Sequence, residues 1–405
     1  MLSIPAVQTS IGNKLTKRIN KDYKTNINID RVSLQFNGDV ELKDIYIEDY
    51  KKDTLINIAE LNTSIIGFKN LYDGNLVFGD IDIIDLVFNI KTYKDTTDTN
   101  LDIFVAKFDD DNPRTGQSNF LLSSSDVSIY NGVFKLLDEN RETTKILEFD
   151  DLNINATNFL INGSNVKARI NTLAFKDSRG LVMKNMMTDF SYTLTDMTFT
   201  NLNIKTPNSV LKGNLQFSYN REDFKEFTDK VFVFANFDDS RVSLNELNTF
   251  YNEFGVNQFA RFSTKVSGTL NNLQTSNLRL NTSRSTKIYG DINFKNLFNK
   301  EDDNFIMDGS FSNLSSTYND LKALLPNVLG ETIPSSFERL GKFKIIGNSI
   351  VTTSTINADL EIDTELGFVD SRLEIDKIND IDNASYKGNV ILNQFDLGTL
   401  INDPQ

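Results

Sequence analysis

The chain has 405 residues, 39% of them hydrophobic, a formal charge of −14, and no His, Cys or Trp. Those absences exclude a Ser-His-Asp triad, a cysteine nucleophile, a His- or Cys-ligated zinc site, an iron–sulfur cluster and any disulfide framework, and the charge argues against nucleic acid as the main partner. The length suits two or three ordinary domains or one long repetitive one.

Residues 1–25 differ from the rest. Met1-Leu2-Ser3-Ile4 is far shorter than the roughly 20 apolar residues of a membrane-spanning helix, and reads as the end of an anchor outside this sequence. The stop at Asp403-Pro404-Gln405 likewise reads as an interruption of something longer. Residues 5–21 read as an amphipathic helix, with Val7, Ile11, Leu15 and Ile19 on one stripe and Pro5 suited to a first turn. Lys14, Lys17, Arg18 and Lys21 make this segment basic in an acidic chain. Two roles fit it: a helix packed on the end of a sheet, or a juxtamembrane helix whose cations meet anionic headgroups.

Residues 26–93 alternate as strands do. Ile27 and Ile29 are followed by Val32, Leu34 and Phe36, and the change of parity near Asp30 predicts a bulge or a break. Asn37-Gly38-Asp39 predicts a hairpin turn. Val40 and Leu42, Ile45 and Ile47, Leu76 and Phe78, then Ile84, Leu86, Phe88 and Ile90 continue the pattern. Residues 94–118 read as a linker rich in Thr, Asp and Asn, with a short helix from Leu101 to Phe108. Asp109-Asp110-Asp111 lacks the glycine and terminal glutamate of a calcium loop and reads as a solvated acidic turn.

Beyond residue 119 one phrase keeps returning: an apolar residue, a spacer, glycine, a spacer, and more apolar residues of the same parity. It reads Tyr130-Asn131-Gly132-Val133-Phe134, Leu211-Lys212-Gly213-Asn214-Leu215, Val266-Ser267-Gly268-Thr269-Leu270 and Ile288-Tyr289-Gly290-Asp291-Ile292. Met307-Asp308-Gly309-Ser310-Phe311 and Tyr386-Lys387-Gly388-Asn389-Val390 repeat it. The glycine falls on the apolar face, where it leaves room or lets the sheet bend. A second phrase, apolar-x-apolar-x-Thr, occurs at Leu202–Thr206, Leu278–Thr282 and Leu360–Thr364. Ser243-Leu244-Asn245-Glu246 has capping-box spacing and predicts a helix to Phe254, stopped by Gly255. A second helix is expected from Thr317 through Leu321, Leu324 and Leu325, closed by Pro326 and Gly330. Residues 119–240, 241–312 and 313–405 thus read as successive strand modules, the last two opening on a helix.

A sheet with one apolar face must cover it. A sandwich, a barrel and an open trough all meet that need. The loose spacing of the repeats favours an all-β, mainly antiparallel, elongated repetitive β-groove with an N-terminal amphipathic helix and a few short helices between modules. Its lining would come from Leu202, Ile204, Leu215, Phe217, Leu278, Leu280, Ile288, Ile292, Phe294, Leu360, Ile362, Leu373 and Ile375. Glu41, Asp44, Asp80 and Asp82 alternate with apolar residues and read as solvated charges. No catalytic constellation, metal site or cofactor site emerges, which points away from an enzyme. Acyl chains suit such a lining. Each buried methylene is worth about 0.8 kcal/mol, so a two-tailed lipid moves from bilayer to groove at nearly even exchange.

Several stretches carry a family resemblance. They are Ile4-Pro5-Ala6-Val7-Gln8-Thr9, Asn28-Ile29-Asp30-Arg31-Val32-Ser33-Leu34 and Gly38-Asp39-Val40-Glu41-Leu42-Lys43-Asp44-Ile45-Tyr46-Ile47-Glu48-Asp49. Lys52-Asp53-Thr54-Leu55 and Leu76-Val77-Phe78-Gly79-Asp80 continue them. Over about the first 110 residues the chain resembles the start of TamB/AsmA-like proteins (translocation and assembly module) of the Bacteroidota type, and later modules resemble the family's body more loosely. The resemblance implies an N-terminal fragment of a protein anchored in the inner membrane and facing the periplasm. It implies a groove open along one side that moves phospholipid towards the outer membrane. It also implies an outer-membrane β-barrel partner and a part in the assembly or secretion of barrel proteins. The sequence departs from the family in its reduced anchor, Met1–Ile4, and in lacking the C-terminal domain that would meet the outer membrane. Three readings follow: a lipid conduit, an assembly factor whose strand edges pair with client strands, and a structural or adhesive all-β protein.

Overall fold

The structure is a computed structural model that describes residues 14, 16–34, 39–65, 75–108, 121–298, 304–329, 334–378 and 383–402. Asn37-Gly38, Asp109–Asp111, Gly330 and most of the expected helix over 5–21 lie outside the described residues; residues 16–23 are helical. The chain forms two compact units, Met1–Pro207 and Asn208–Gln405.

The first unit contains β1 (Asn26–Leu34), β2 (Asp39–Glu48), β3 (Thr54–Ile65), β4 (Asn75–Thr92), β5 (Leu121–Asp138), β6 (Lys145–Asn162), β7 (Asn165–Asp177), β8 (Val182–Met183), β9 (Asn185–Tyr192) and β10 (Asp196–Lys205). Consecutive strands from β1 to β4 pair antiparallel, as do β5 with β6, β6 with β7, β7 with both β8 and β9, and β9 with β10. The exception is β4 with β5, which run parallel. A parallel pair needs a crossover, and the chain between them includes the short helix Asn100–Val105 and a 3-10 turn over Ala106–Phe108. Thr99 and Asp102 form a reciprocal capping box at its start.

The parity change near Asp30 belongs to a crease that crosses several strands. Ile29, Ile45, Ile58 and Leu86 align in one register row, and Val32, Leu42, Leu61 and Ile83 in another. The step between the rows is three residues instead of four or two, yet both rows contribute to one apolar cluster around Ile45, Ile58 and Leu86. A strand alternates with period two, so an odd step needs an irregular residue. It is supplied by left-handed residues at Asp44, Asp85, Asn131 and Asp151 on β2, β4, β5 and β6. Asp and Asn are the side chains that tolerate this conformation best after glycine.

The second unit contains β11 (Val210–Ser218), β12 (Phe232–Ser243), β13 (Phe259–Thr269), β14 (Leu273–Thr282), β15 (Lys287–Lys295), β16 (Ile306–Thr317), β17 (Lys342–Thr352), β18 (Thr355–Thr364), β19 (Gly367–Asp376) and β20 (Ser385–Asn393). Each pairs antiparallel with the next. Register shifts recur from β11 to β17 and stop there. Ser240 and Thr264, both buried, sit at two of these shifts. The Ser240 hydroxyl accepts from the Lys212 N–H, and the Thr264 hydroxyl donates to the Ser276 carbonyl, so polar backbone left over by the crease is satisfied. The sheets are open and do not close into a barrel.

In the second unit short helices follow three strands spaced by four, Leu244–Leu247 after β12, Tyr318–Leu324 after β16 and Leu397–Ile401 after β20, and another, Phe227–Lys230, follows β11. The apolar-x-apolar-x-Thr phrase ends β14 and β18 and runs one residue past the end of β10, again four strands apart. The helix expected from Ser243 to Phe254 is much shorter, and its capping box does not form. The reason is competition for Glu246: its carboxylate takes the Asn208 N–H at 3.0 Å and the Ser209 hydroxyl. The second expected helix starts as predicted, with the Thr317 hydroxyl accepting the Asp320 N–H at 3.1 Å.

Candidate functional site: the apolar face

In the second unit the registers lay four rows of side chains across one face. The first is Leu280, Ile288, Leu314, Ile345, Ile362, Val369 and Leu392. The second is Leu278, Gly290, Phe311, Gly347, Leu360, Ser371 and Val390. The third is Thr275, Ile292, Gly309, Ser349, Ala358, Leu373 and Gly388, and the fourth Phe294, Met307, Val351, Ile356, Ile375 and Tyr386. The third row continues through Val266 and Ala235 to Leu215, and Phe217 lies opposite Val233 beside it. Eleven of the thirteen candidates therefore share one face, and all eleven are half-buried.

The middle of this face is uneven. Gly290 sits beside Ile292, Gly309 beside Phe311, Ala358 beside Leu360 and Ser371 beside Leu373, so small and large residues alternate, while β17 offers only Gly347 and Ser349 there. At Gly347 the backbone has φ 134°, and a Cβ would lie 2.1 Å from the Asp359 carbonyl oxygen. The recurring glycine thus permits both the backbone geometry and the close approach of the neighbouring strand. From β17 onward, Ala358 is the one buried hydrophobic side chain among the described residues. The opposite face of the same strands carries Lys342, Lys344, Asp359, Glu361, Asp363, Arg372 and Glu374, all exposed. The four last strands therefore have a largely charged side, which also exposes Ile346, Ile350 and Ile391, and an apolar side that the described residues leave partly uncovered.

One margin is roofed. Leu244 and Leu324, from two of the short helices, pack with Ala260, and Leu247, Phe254 and Leu325 join them against Leu280 and Ile288 of the first row. The Gly255 N–H donates to the Leu324 carbonyl at 3.0 Å and the Gln258 amide to the Ala323 carbonyl at 2.7 Å, which locks the helical segments together.

In the first unit, a ladder of rings crosses four strands: Phe88 to Phe134 at 5.7 Å, Phe134 to Phe149 at 5.5 Å and Phe149 to Phe175 at 4.0 Å between centroids. Of the two candidates here, Ile204 is half-buried opposite Met186, whereas Leu202 is only 3% exposed and belongs to the packed wall. Lys14, Lys17, Arg18 and Lys21 are all exposed, with Arg18 3.6 Å from Asp22. Asn20 ties the helical segment to β1 by donating to the Ile27 carbonyl at 2.8 Å and accepting the Ile27 N–H at 2.9 Å. A cleft of about 280 Å³ opens beside it, bordered by Lys17, Asn26, Tyr46 and Glu48.

Alternation did not reveal one polar network in the first unit. The Tyr93 hydroxyl lies 2.6 Å from Asp49 and 2.8 Å from Asp53, and Asn100, only 1% exposed, donates to Asp49 at 3.0 Å. Lys91 pairs with Glu139 at 2.9 Å and Asp53 at 3.2 Å and lies over the Tyr93 ring. Burial, then the two carboxylates, pushes the Tyr93 hydroxyl well above its usual range. The Tyr93 hydrogen bond, then Lys91, holds the Asp53 carboxyl below its own. A tyrosine held so firmly protonated is a hydrogen-bond donor, and the arrangement clamps the β2–β3 turn, the end of β4, the helix at Asn100–Val105 and the β5–β6 turn.

Among the described residues no helix is long and apolar enough to cross a membrane. No model of a known protein family matches the chain, and no curated protein matches it.

Proposed function

We propose that the chain is a non-enzymatic β-groove of a bacterial cell envelope that carries phospholipid acyl chains between inner and outer membrane, as the resemblance to TamB/AsmA-like proteins implies. The observation that carries this reading is the half-buried apolar face of β14–β19, continued by exposed apolar residues on β20, with Ala358 the one buried hydrophobic among the described residues from β17 onward. An apolar face left in water costs roughly 25 cal/mol per Å² relative to a covered one, and an acyl chain laid along the rows would cover it. The exposed cations of the N-terminal helix, Lys14, Lys17, Arg18 and Lys21, suit the surface of the membrane that holds the anchor. The test is mass spectrometry of organic extracts from the purified chain and from Ile292→Asp and Phe294→Asp variants. The reading expects co-purified lipid that falls in both variants with strand content intact. Unchanged lipid stoichiometry would overturn it.

A second reading, an assembly factor working with an outer-membrane barrel, is favoured by β20. Tyr386, Val390, Ile391 and Leu392 are all exposed on it. Such a strand offers an edge for a client β-strand to extend.

A further inference from the structure

The wet face of the second unit carries a row of cations that no acidic side chain among the described residues pairs with. Arg241 on β12 stands opposite Arg261 on β13, Arg261 opposite Asn281 on β14, and Asn281 opposite Lys287 on β15. Arg279 lies in the next row, opposite Ser263 and Tyr289. All four basic residues are exposed. None of the four side chains forms an ion pair or hydrogen bond with another described residue. Like charges directly across a strand pair repel. Other cations of the chain meet carboxylates, Lys43 with Glu41 and Glu60, Lys176 with Asp151 and Arg169 with Asp189, although like charges also face each other at Glu361 and Asp370. With 56 acidic residues against 42 basic ones, an unmatched basic row runs against the average of the chain. Two details present the row outward. The Arg241 guanidinium lies over the Phe259 ring, 4.1 Å from its centroid. The Asn281 carbonyl oxygen accepts the Tyr289 hydroxyl at 2.9 Å, which leaves its amide N–H groups for another acceptor.

We propose that this row binds a linear acidic polysaccharide, with about one charged sugar per strand. Neighbouring strands are about 4.8 Å apart, so the row from β12 to β15 is about 14 Å long; the repeat of a pyranose chain is close to one such step. The binding partner is linear because the cations form a line. Asp291 and Asp308 share the same face away from the row, Asp238 lies beside it with its carboxylate accepting the Ser263 hydroxyl, and a planar anionic surface would meet all three. Duplex nucleic acid, with a charge every ~1.7 Å, would suffer most from the repulsion of a chain carrying −14. The site lies on the face opposite the groove, so it stands or falls independently of what the groove carries.

The experiment titrates the full chain into fluorescein-labelled oligogalacturonate and follows anisotropy at low salt and again at ~0.3 M, where charges more than several ångströms apart are screened. The expected result is saturable binding at low salt that is lost at high salt. Arg241→Gln/Arg261→Gln and Arg279→Gln/Lys287→Gln are each expected to weaken it about tenfold, while Lys387→Gln on β20 leaves it unchanged. Circular dichroism confirms that each variant folds. Three results would overturn the proposal: no saturable binding at low salt, binding by both double variants as tight as that of the unaltered chain, or attachment through these residues to vesicles of anionic phospholipid without binding to the oligomer.

Discussion

Ile362→Asp separates an uncovered apolar face from a sealed core. Ile362 stands between Ile345 and Val369 in the first row, half-buried, on the wall of strands where Ala358 is the one buried hydrophobic among the described residues. Fully burying an isoleucine is worth about 1.5–3 kcal/mol. A half-covered one therefore contributes about 1 kcal/mol, and a hydrated carboxylate in its place adds little further cost. In a sealed core the same change would bury an unpaired charge or force it neutral, at several kcal/mol. Urea unfolding measures the difference. The guest pays separately: a chain crossing the row loses contact with two or three methylenes at about 0.8 kcal/mol each. That sums to about 2 kcal/mol, or about 30-fold weaker binding, read by titration of a fluorescent fatty acid. A destabilisation above about 3 kcal/mol, or undiminished affinity, would refute the reasoning.

Gly347→Ala is expected to cost about 1–3 kcal/mol in chemical denaturation, because φ is 134° and the new Cβ would meet the Asp359 carbonyl at 2.1 Å. Gly132→Ala, whose Cβ would approach nothing nearer than 3.3 Å, is expected to stay within about 1 kcal/mol of zero. Asp44→Gly should be neutral or stabilising, since Asp44 is left-handed at φ 53°, whereas Asp44→Val should cost at least about 1–2 kcal/mol. Tyr93→Phe removes the donor shared by Asp49 and Asp53 and should cost about 1–3 kcal/mol. It should also change the pH profile of stability at both ends. The Asp53 carboxyl is held low by Tyr93 and then Lys91, so its contribution is present above its unfolded pKa and lost as pH falls through the lower folded value. Removing Tyr93 moves that acid loss to higher pH. Tyr93 is itself pushed up, so its contribution is complete below about pH 10 and lost as pH rises further, and the variant should lack that alkaline limb.

Period-two alternation made the strands, the apolar face and the repetition legible, because burial on one side of a sheet forces that pattern. The odd step at Asp30 was also legible. Its continuation through Asp44, Asp85, Asn131 and Asp151 was not, since an isolated Asp or Asn inside an apolar run looks like a polar outward residue and its left-handed backbone leaves no other mark. Leu278, Ile292, Leu360 and Leu373 were found individually, but the notch at Gly347 and Ser349 exists only once registers place β17 between β16 and β18. The same holds for Arg241, Arg261 and Lys287, which are far apart in sequence and adjacent only through pairing. The capping box at Ser243 failed because Glu246 had stronger partners in Asn208 and Ser209, which no local window contains. The parallel pairing of β4 with β5 was hidden for a similar reason: alternation reports a strand's faces but not its direction.

Photocrosslinking from Leu360 and Leu373, each replaced in turn by benzoylphenylalanine, addresses the apolar face most directly. Both stand in its middle rows, beside Ala358 and Ser371. Adducts whose added mass is that of a membrane lipid are the predicted product. Adducts confined to the chain's own residues, or to another polypeptide, would contradict a face that receives acyl chains.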